Sequence, residues 1–246
     1  MISVERSYWQ ETLYRPTVLD KMMNWIAIWV TFKLAALTAL ILLVVGLPIA
    51  YWVSFSRWRW KFLIESVVAL PLVLPPTVLG FYILVAIGPH SPFGRFYNDL
   101  VGHPLPFTFE GLLLASVLYS LPFAVQPFSV AFDQVDRRLI ETSWTLGVSK
   151  FRTFVKLIAP LSVAGLITGF VLSFAHTLGE FGVVLMVGGN LEGETRTVSI
   201  DIYDEVQALN YAGAAKTALF LLIVSYLVLL VMYATNRNVW AAWPQK

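Results

Sequence analysis

The 246-residue sequence contains no cysteine, which excludes disulfides, thiolate zinc sites and cysteine nucleophiles. Histidine is scarce as well: His90, His103 and His176 are the only three, and no metal site is expected from them. Charged residues make up 13% of the chain, against about 25% in a soluble domain. Half of the usual solvated surface is therefore missing. No G-x-x-x-x-G-K-[ST] phosphate loop occurs, so any nucleotide must be handled by another chain and this one is not read as an enzyme. The first twenty residues lack the basic start and apolar core of a signal peptide. A net charge of +2 gives no reason to expect a nucleic-acid partner.

What is present is apolar: 58% of residues are hydrophobic. The chain reads as an all-α integral membrane protein in contact with lipid. Runs of about twenty or more apolar residues mark spans, and five stand out, at 25–55, 62–87, 111–130, 157–187 and 214–234. The fourth is too long for one upright helix at ~1.5 Å per residue against a ~30 Å core. It is expected to break or tilt near Gly179, leaving five spans with a sixth half-span as the alternative. In the second, Pro71, Pro75 and Pro76 each remove a backbone donor, which suits a helix lining a cavity or packed on neighbours better than one facing lipid.

Basic residues orient the spans. Arg57, Arg59 and Lys61, then Arg137, Arg138, Lys150, Arg152 and Lys156, then Arg237 and Lys246 hold most of the positive charge. If all three groups face the cytoplasm, the alternation of five spans satisfies the positive-inside rule, with the N-terminus outside and the C-terminus inside. Tryptophans at 58, 60, 240 and 243 fit interfacial belts.

The stretch "ETSWTLGVSKFRTFVKLIAP" (141–160) is polar between two greasy segments. A short helix is expected over 137–146, with Arg137 and Glu141 one turn apart. Gly147 can end it in the left-handed conformation. Ser149 can cap a second helix, on which Phe151, Phe154, Val155 and Ile158 share one face. By itself this pattern equally fits an amphipathic helix resting on headgroups.

The spacing Glu141-Thr142-Ser143, three residues, Gly147, nine residues, Leu157-Ile158-Ala159-Pro160 resembles the EAA loop of importer-type ABC transporter permeases. Three further segments, at 70–84, 118–147 and 178–206, with "GEFG" and "GETRT" the most specific pieces, resemble the permease subunits of molybdate transporters. Sulfate and tungstate permeases share the architecture and part of that signature. The resemblance implies a type I ABC importer permease fold over residues 25–246, preceded by an external segment 1–24. It implies a cytoplasmic coupling helix in the loop 133–160 that docks on an ATPase through Arg137, Arg138, Glu141, Thr142, Ser143, Gly147, Val148, Ser149, Phe151 and Pro160. The implied partners are a second copy of the chain, two ATPase subunits that carry ATP and Mg, and an external oxyanion-binding protein, in a prokaryotic inner membrane.

The candidate translocation path or gate comprises Pro75, Pro76 and the segment "HTLGEFG", namely His176, Gly179, Glu180, Phe181 and Gly182. An ionisable residue at membrane depth is a functional hypothesis by default. Glu180 repels a dianion, so it is expected either to accept hydrogen bonds that fix the break or to help form the gate. His176 and Glu180 lie four apart, but no H-E-x-x-H pattern supports zinc. Lys33 is expected to snorkel to the outer interface. Arg196 is placed to meet an oxyanion, a docking protein, or Glu192 and Glu194; Asp201, Asp204 and Glu205 read as a solvated face. A rival reading as a membrane hydrolase using Ser173, His176 or Glu180 leaves the 141–160 stretch unexplained, and an ion-driven transporter lacks its usual sign here, paired broken helices in two repeated halves.

Overall fold

The computed structural model describes residues 23–235. Most of the 1–24 segment, Arg237, Trp240, Trp243 and Lys246 lie outside the described residues. Among the described residues there are eleven helices: α1 (Trp25–Phe55), α2 (Lys61–Val73), α3 (Pro76–Ile87), α4 (Pro92–Val101), α5 (Phe109–Asp133), α6 (Arg137–Thr145), α7 (Lys150–Leu161), α8 (Val163–Leu178), α9 (Gly182–Gly188), α10 (Val198–Gln207) and α11 (Tyr211–Thr235). Three of them, α1, α5 and α11, are each long and apolar enough to cross a membrane.

The other two expected spans are bent. The second is not one helix: α2 and α3 meet at 117°. Pro75 and Pro76 sit at the corner and Pro76 opens α3 as its first residue, the position where a missing N–H is harmless. Pro71 stays inside α2. The fourth breaks twice. Gly179 to Phe181 is non-helical between α8 and α9, where a break was expected. A second bend of 76° separates α7 from α8 at Ser162. There the Ser162 hydroxyl donates to the Ala131 carbonyl at 3.2 Å, tying the corner to α5.

Helix α5 is the central post. One apolar cluster, with Leu42, Ala50, Val68, Phe128, Phe132, Ile140 and Ile158, joins α1, α2, α5, α6 and α7 at one end. A second, with Ile83, Ile87, Leu105, Ala115, Val183 and Val187, joins α3, α5 and α9 towards the other. Small residues let the post be approached closely, as in other membrane bundles. A Cβ on Gly169 of α8 falls 2.5 Å from the Phe128 ring, and one on Gly165 falls 2.2 Å from Ala131 Cβ.

Candidate functional site

Two groups of residues stand out, one at each end of α5's reach. The first is the α6–α7 hairpin. Asp136 caps α6 by accepting from the Arg138 amide at 2.9 Å. Gly147 has φ +78°, and the Gly147 and Val148 amides close the helix end onto the Trp144 and Ser143 carbonyls. Ser149 then accepts from the Arg152 amide and starts α7. The hairpin is tied across by the Ser143 and Thr153 hydroxyls, 2.8 Å apart. Thr142 instead turns its hydroxyl back onto the Arg138 carbonyl.

The Arg137–Glu141 pair does not form. Arg137 donates to the Ser54 carbonyl at 3.2 Å and lies over the Phe55 ring, joining α6 to the end of α1. Arginine-first spacing is the weaker orientation on a helix, and the buried carbonyl offers a fixed acceptor. The expected apolar face of α7 also divides. Phe154 and Ile158 pack inward, while Phe151 is 78% exposed and Val155 is exposed too. A π-helical turn over Phe154–Ile158 separates them, with the Ala159 amide reaching the Phe154 carbonyl. Pro160 follows directly; the widened turn makes room for a ring that otherwise crowds the carbonyl one turn back.

The hairpin's outer surface is apolar with a cationic rim. Leu139, Trp144, Leu146, Phe151 and Val155 are exposed. A cleft of about 400 Å³ between Phe55, Ile140 and Trp144 is edged by Arg57, Arg137, Lys150 and Glu141. Such a surface, apolar at its centre and charged at its margin, is built like one half of a protein–protein interface.

The second group surrounds Glu180 in the break between α8 and α9. Its carboxyl is buried inside the protomer. Ser116 donates to Oε2 at 2.6 Å and Ser120 donates to Oε1 at 2.8 Å. These serines are one turn apart on α5, so the carboxyl spans two successive rungs of the post. With its proton committed to Glu180, Ser120 accepts from His176 Nδ1 at 2.9 Å or from the Thr177 hydroxyl at 3.0 Å. His176 stacks on Phe123, with ring centroids 3.9 Å apart, and lies against Tyr119. Ser173 is engaged with the Gly169 carbonyl at 2.7 Å, an arrangement of helix packing rather than of a nucleophile.

The break brings the other path candidates together only in part. A Cβ on Gly182 falls 2.8 Å from Pro76 Cβ, and one on Gly80 falls 2.9 Å from Met186 Cβ, so α9 rides directly on α3. Pro75, Pro76 and Gly179 are exposed. Phe181 turns away, its ring 5.1 Å from that of Tyr203 on α10.

Two serines and one link were missed in the sequence. Ser116 and Ser120, four apart in an apolar run, were a readable signal, since hydroxyls at that spacing share a face. The link is between Asn24 and Asp201. Asp201, read as solvated, is buried. It accepts from Asn24 Nδ2 at 2.9 Å, while Asn24 Oδ1 caps α1. Burial pushes the Asp201 carboxyl above its ordinary range, and nearby Asp204 and Glu192 push the same way against the Asn24 bond and Arg196. Arg196 meets Asp204 at 3.9 Å and donates to the Asn190 side-chain oxygen Oδ1 at 2.7 Å, rather than meeting Glu192 or Glu194.

Comparison with known proteins places this geometry. The family model described as binding-protein-dependent transport system inner membrane component matches residues 43–240. A molybdenum transport system permease protein, ModB, of Azotobacter vinelandii is 52% identical over 211 residues, 86% of this chain and 93% of that protein. The ModB protein of Escherichia coli (strain K12) is 34% identical, over 85% of this chain and 91% of its own. A probable sulfate transport system permease protein, cysT, of Prototheca wickerhamii is 32% identical, over 87% and 85%. Among solved structures, an inward-facing methionine ABC transporter, MetNI, matches with TM-score 0.68 at 16% identity, over 88% of this chain and 96% of that one. A bacterial alginate ABC transporter matches at 0.72 and 15%, over 89% and 80%. At these identities the solved structures speak to the fold alone. The chain belongs to the inner-membrane components of binding-protein-dependent transport systems.

Proposed function

We propose that this chain is the membrane-spanning permease subunit of an ATP-driven molybdate importer, working as a homodimer with one translocation path between the copies. The near full-length match to the Azotobacter permease carries the substrate; the sulfate relative is markedly more distant. Two ATPase subunits hold ATP and Mg beneath the α6–α7 hairpin, and an external binding protein delivers the oxyanion at the opposite end. The hairpin therefore faces the cytoplasm, the N-terminus lies outside, and the C-terminus lies inside.

The coupling reading rests on the exposed apolar centre of the hairpin and its cationic rim. Arg138, Glu141 and Phe151 are presented to the partner. Arg137, Ser143, Gly147, Val148, Ser149 and Pro160 hold the hairpin's shape. Ile140 and Ile158 press on Phe132 of α5, and α5 carries Ser116 and Ser120 to Glu180. Displacement of the hairpin by the motor thus bears on the helix that grips the α8–α9 break. In this reading Glu180, with His176, positions the gate rather than touching the anion. Exposed Pro75, Pro76 and Gly179 form the path side of that gate, while Phe181 and Gly182 seat the moving segment against α10 and α3.

The test is uptake of labelled molybdate into vesicles holding the permease, its ATPase and its binding protein. Uptake requires ATP, and excess tungstate blocks it while excess sulfate does not. Competition by sulfate moves the chain to sulfate transport. No ATP-dependent uptake with all three partners intact overturns the importer reading.

A further inference from the structure

Lys33 lies on α1, eight residues from its start, and is exposed. It shares its stripe with Trp29 and Trp25, one and two turns earlier, which are 69% and 60% exposed, and the stripe continues through exposed Leu40 and Val44. An exposed apolar stripe on a membrane-crossing helix faces lipid, and tryptophan marks the level of the headgroups. The 31 residues of α1 span about 46 Å at ~1.5 Å each, against a core of ~30 Å. Dividing the overhang equally puts the core boundary roughly five residues in, near Trp29, and Lys33 roughly one turn below it. The lysine stem is long enough to return its ammonium to the phosphate level.

That ammonium is held in place. Nζ lies 4.1 Å from the centroid of the Phe109 ring at the start of α5, in a cleft of about 350 Å³ walled by Trp29 and Phe109. Among the described residues it has no carboxylate within salt-bridge distance, although Glu110 and Glu194 line the same cleft. One cation, two carboxylates and two aromatic side chains line the same cleft. A phosphate alone suits Lys33 but is repelled by Glu110 and Glu194. A molecule with a phosphate and, a few atoms away, a primary ammonium matches both signs of charge.

We propose that this cleft binds the headgroup of a zwitterionic phospholipid with a primary ammonium, of the phosphatidylethanolamine type, from the leaflet at the α1 N-terminus. The phosphate meets Lys33, and the ammonium donates to Glu110 and Glu194. A choline headgroup is a poorer ligand, because its quaternary nitrogen has no N–H to give. A glycerol headgroup has no cation for the two carboxylates.

Native mass spectrometry of the full chain, purified from nanodiscs of equal parts phosphatidylethanolamine, phosphatidylglycerol and phosphatidylcholine, tests this without reference to the transported ion. Wild type retains phosphatidylethanolamine about tenfold over the other two. Lys33→Gln loses the enrichment, Lys33→Arg keeps it, and the double variant Glu110→Gln with Glu194→Gln shifts retention towards phosphatidylglycerol. No enrichment in wild type, or enrichment undiminished in Lys33→Gln, overturns the proposal. So does a Lys33→Gln variant whose lipid retention is intact while its half-saturating molybdate concentration in uptake rises, which assigns Lys33 to the path. Failure of the importer reading leaves the lipid result standing, so the two are separable.

Discussion

Glu180 is the residue on which the local architecture turns, because a carboxyl sealed in a membrane bundle is tolerated only when its oxygens are satisfied. Its two serines do this from one face of α5. Glu180→Ala leaves both hydroxyls without their acceptor and opens a void, whereas Glu180→Gln keeps one oxygen and lets the other hydroxyl turn to accept from the amide. Glu180→Ala is therefore expected to lower stability by about 1–3 kcal/mol and Glu180→Gln by less than half of that, measured as the thermal midpoint of the purified permease. Equal effects would mean that the bonds to Ser116 and Ser120 contribute little. Asp201 gives a second prediction at this scale. Its folded pKa is raised, so the folded state holds its proton more tightly than the unfolded chain does. That contribution is complete at low pH and is lost as pH rises from the ordinary value of about 3.9 through the raised folded one. Asp201→Asn keeps an oxygen for Asn24 and removes the titration. Melting curves between pH 4 and 7 are expected to fall less steeply with pH in the variant. An unchanged slope assigns the dependence elsewhere. Glu180 was legible in the sequence because it is a lone acid in an apolar run. The Asn24–Asp201 link was not, since nothing local pairs residues 177 positions apart.

At the scale of elements, α1, α5 and α11 were readable from apolar length alone, with ends within a few residues of those found. The corner at Pro75–Pro76 was half legible. Three prolines signalled a disturbed helix, but only packing decides that Pro71 is absorbed while Pro75 and Pro76 turn the chain by 117°. The bend at Ser162 carried no usable local signal, and Pro160 marked a disturbed helix without showing that a π-helical turn would accommodate it. The hairpin, by contrast, follows its local chemistry closely: cap, left-handed glycine, cap. Nothing lies within 4 Å of a Cβ built on Gly147, so a substitution there is opposed by its positive φ and not by a clash. Gly147→Val is expected to cost about 1–2 kcal/mol locally by straining the α6–α7 turn, with the bundle intact. Assembled with its ATPase, this variant should show ATP-driven uptake reduced at least tenfold with its thermal midpoint little changed. Full uptake would remove the hairpin from coupling. A collapsed midpoint would make it part of the bundle's own stability.

The number of crossings is a property of the whole molecule, and bent helices make it hard to count from sequence. The two apolar clusters favour counting each bent pair as one broken span. Val68 of α2 belongs to the cluster around Ile140 and Ile158, whereas Ile87 of α3 belongs to the one around Leu105 and Val187. The bent pair α2–α3 therefore runs from one cluster to the other in spite of its corner. In the same way, Ile158 of α7 lies in the first cluster, and the chain then reaches Val184 of α9, which packs with Leu34 in the first half of α1 and Ile200 of α10. Counting each bent pair as one span, with α1, α5 and α11, gives five passages; on that count, an odd number, the two ends of the described chain are expected on opposite sides. Because the chain has no cysteine, each engineered thiol is unique. Arg152→Cys on α7 and His103→Cys between α4 and α5 are both exposed positions. A membrane-impermeant maleimide is expected to label His103→Cys in right-side-out vesicles and Arg152→Cys in inverted ones. Labelling of both from one side contradicts the count, because it requires an even number of crossings between them. Each labelled from the side opposite to expectation keeps five passages but inverts the molecule, placing the hairpin where no ATPase can reach it.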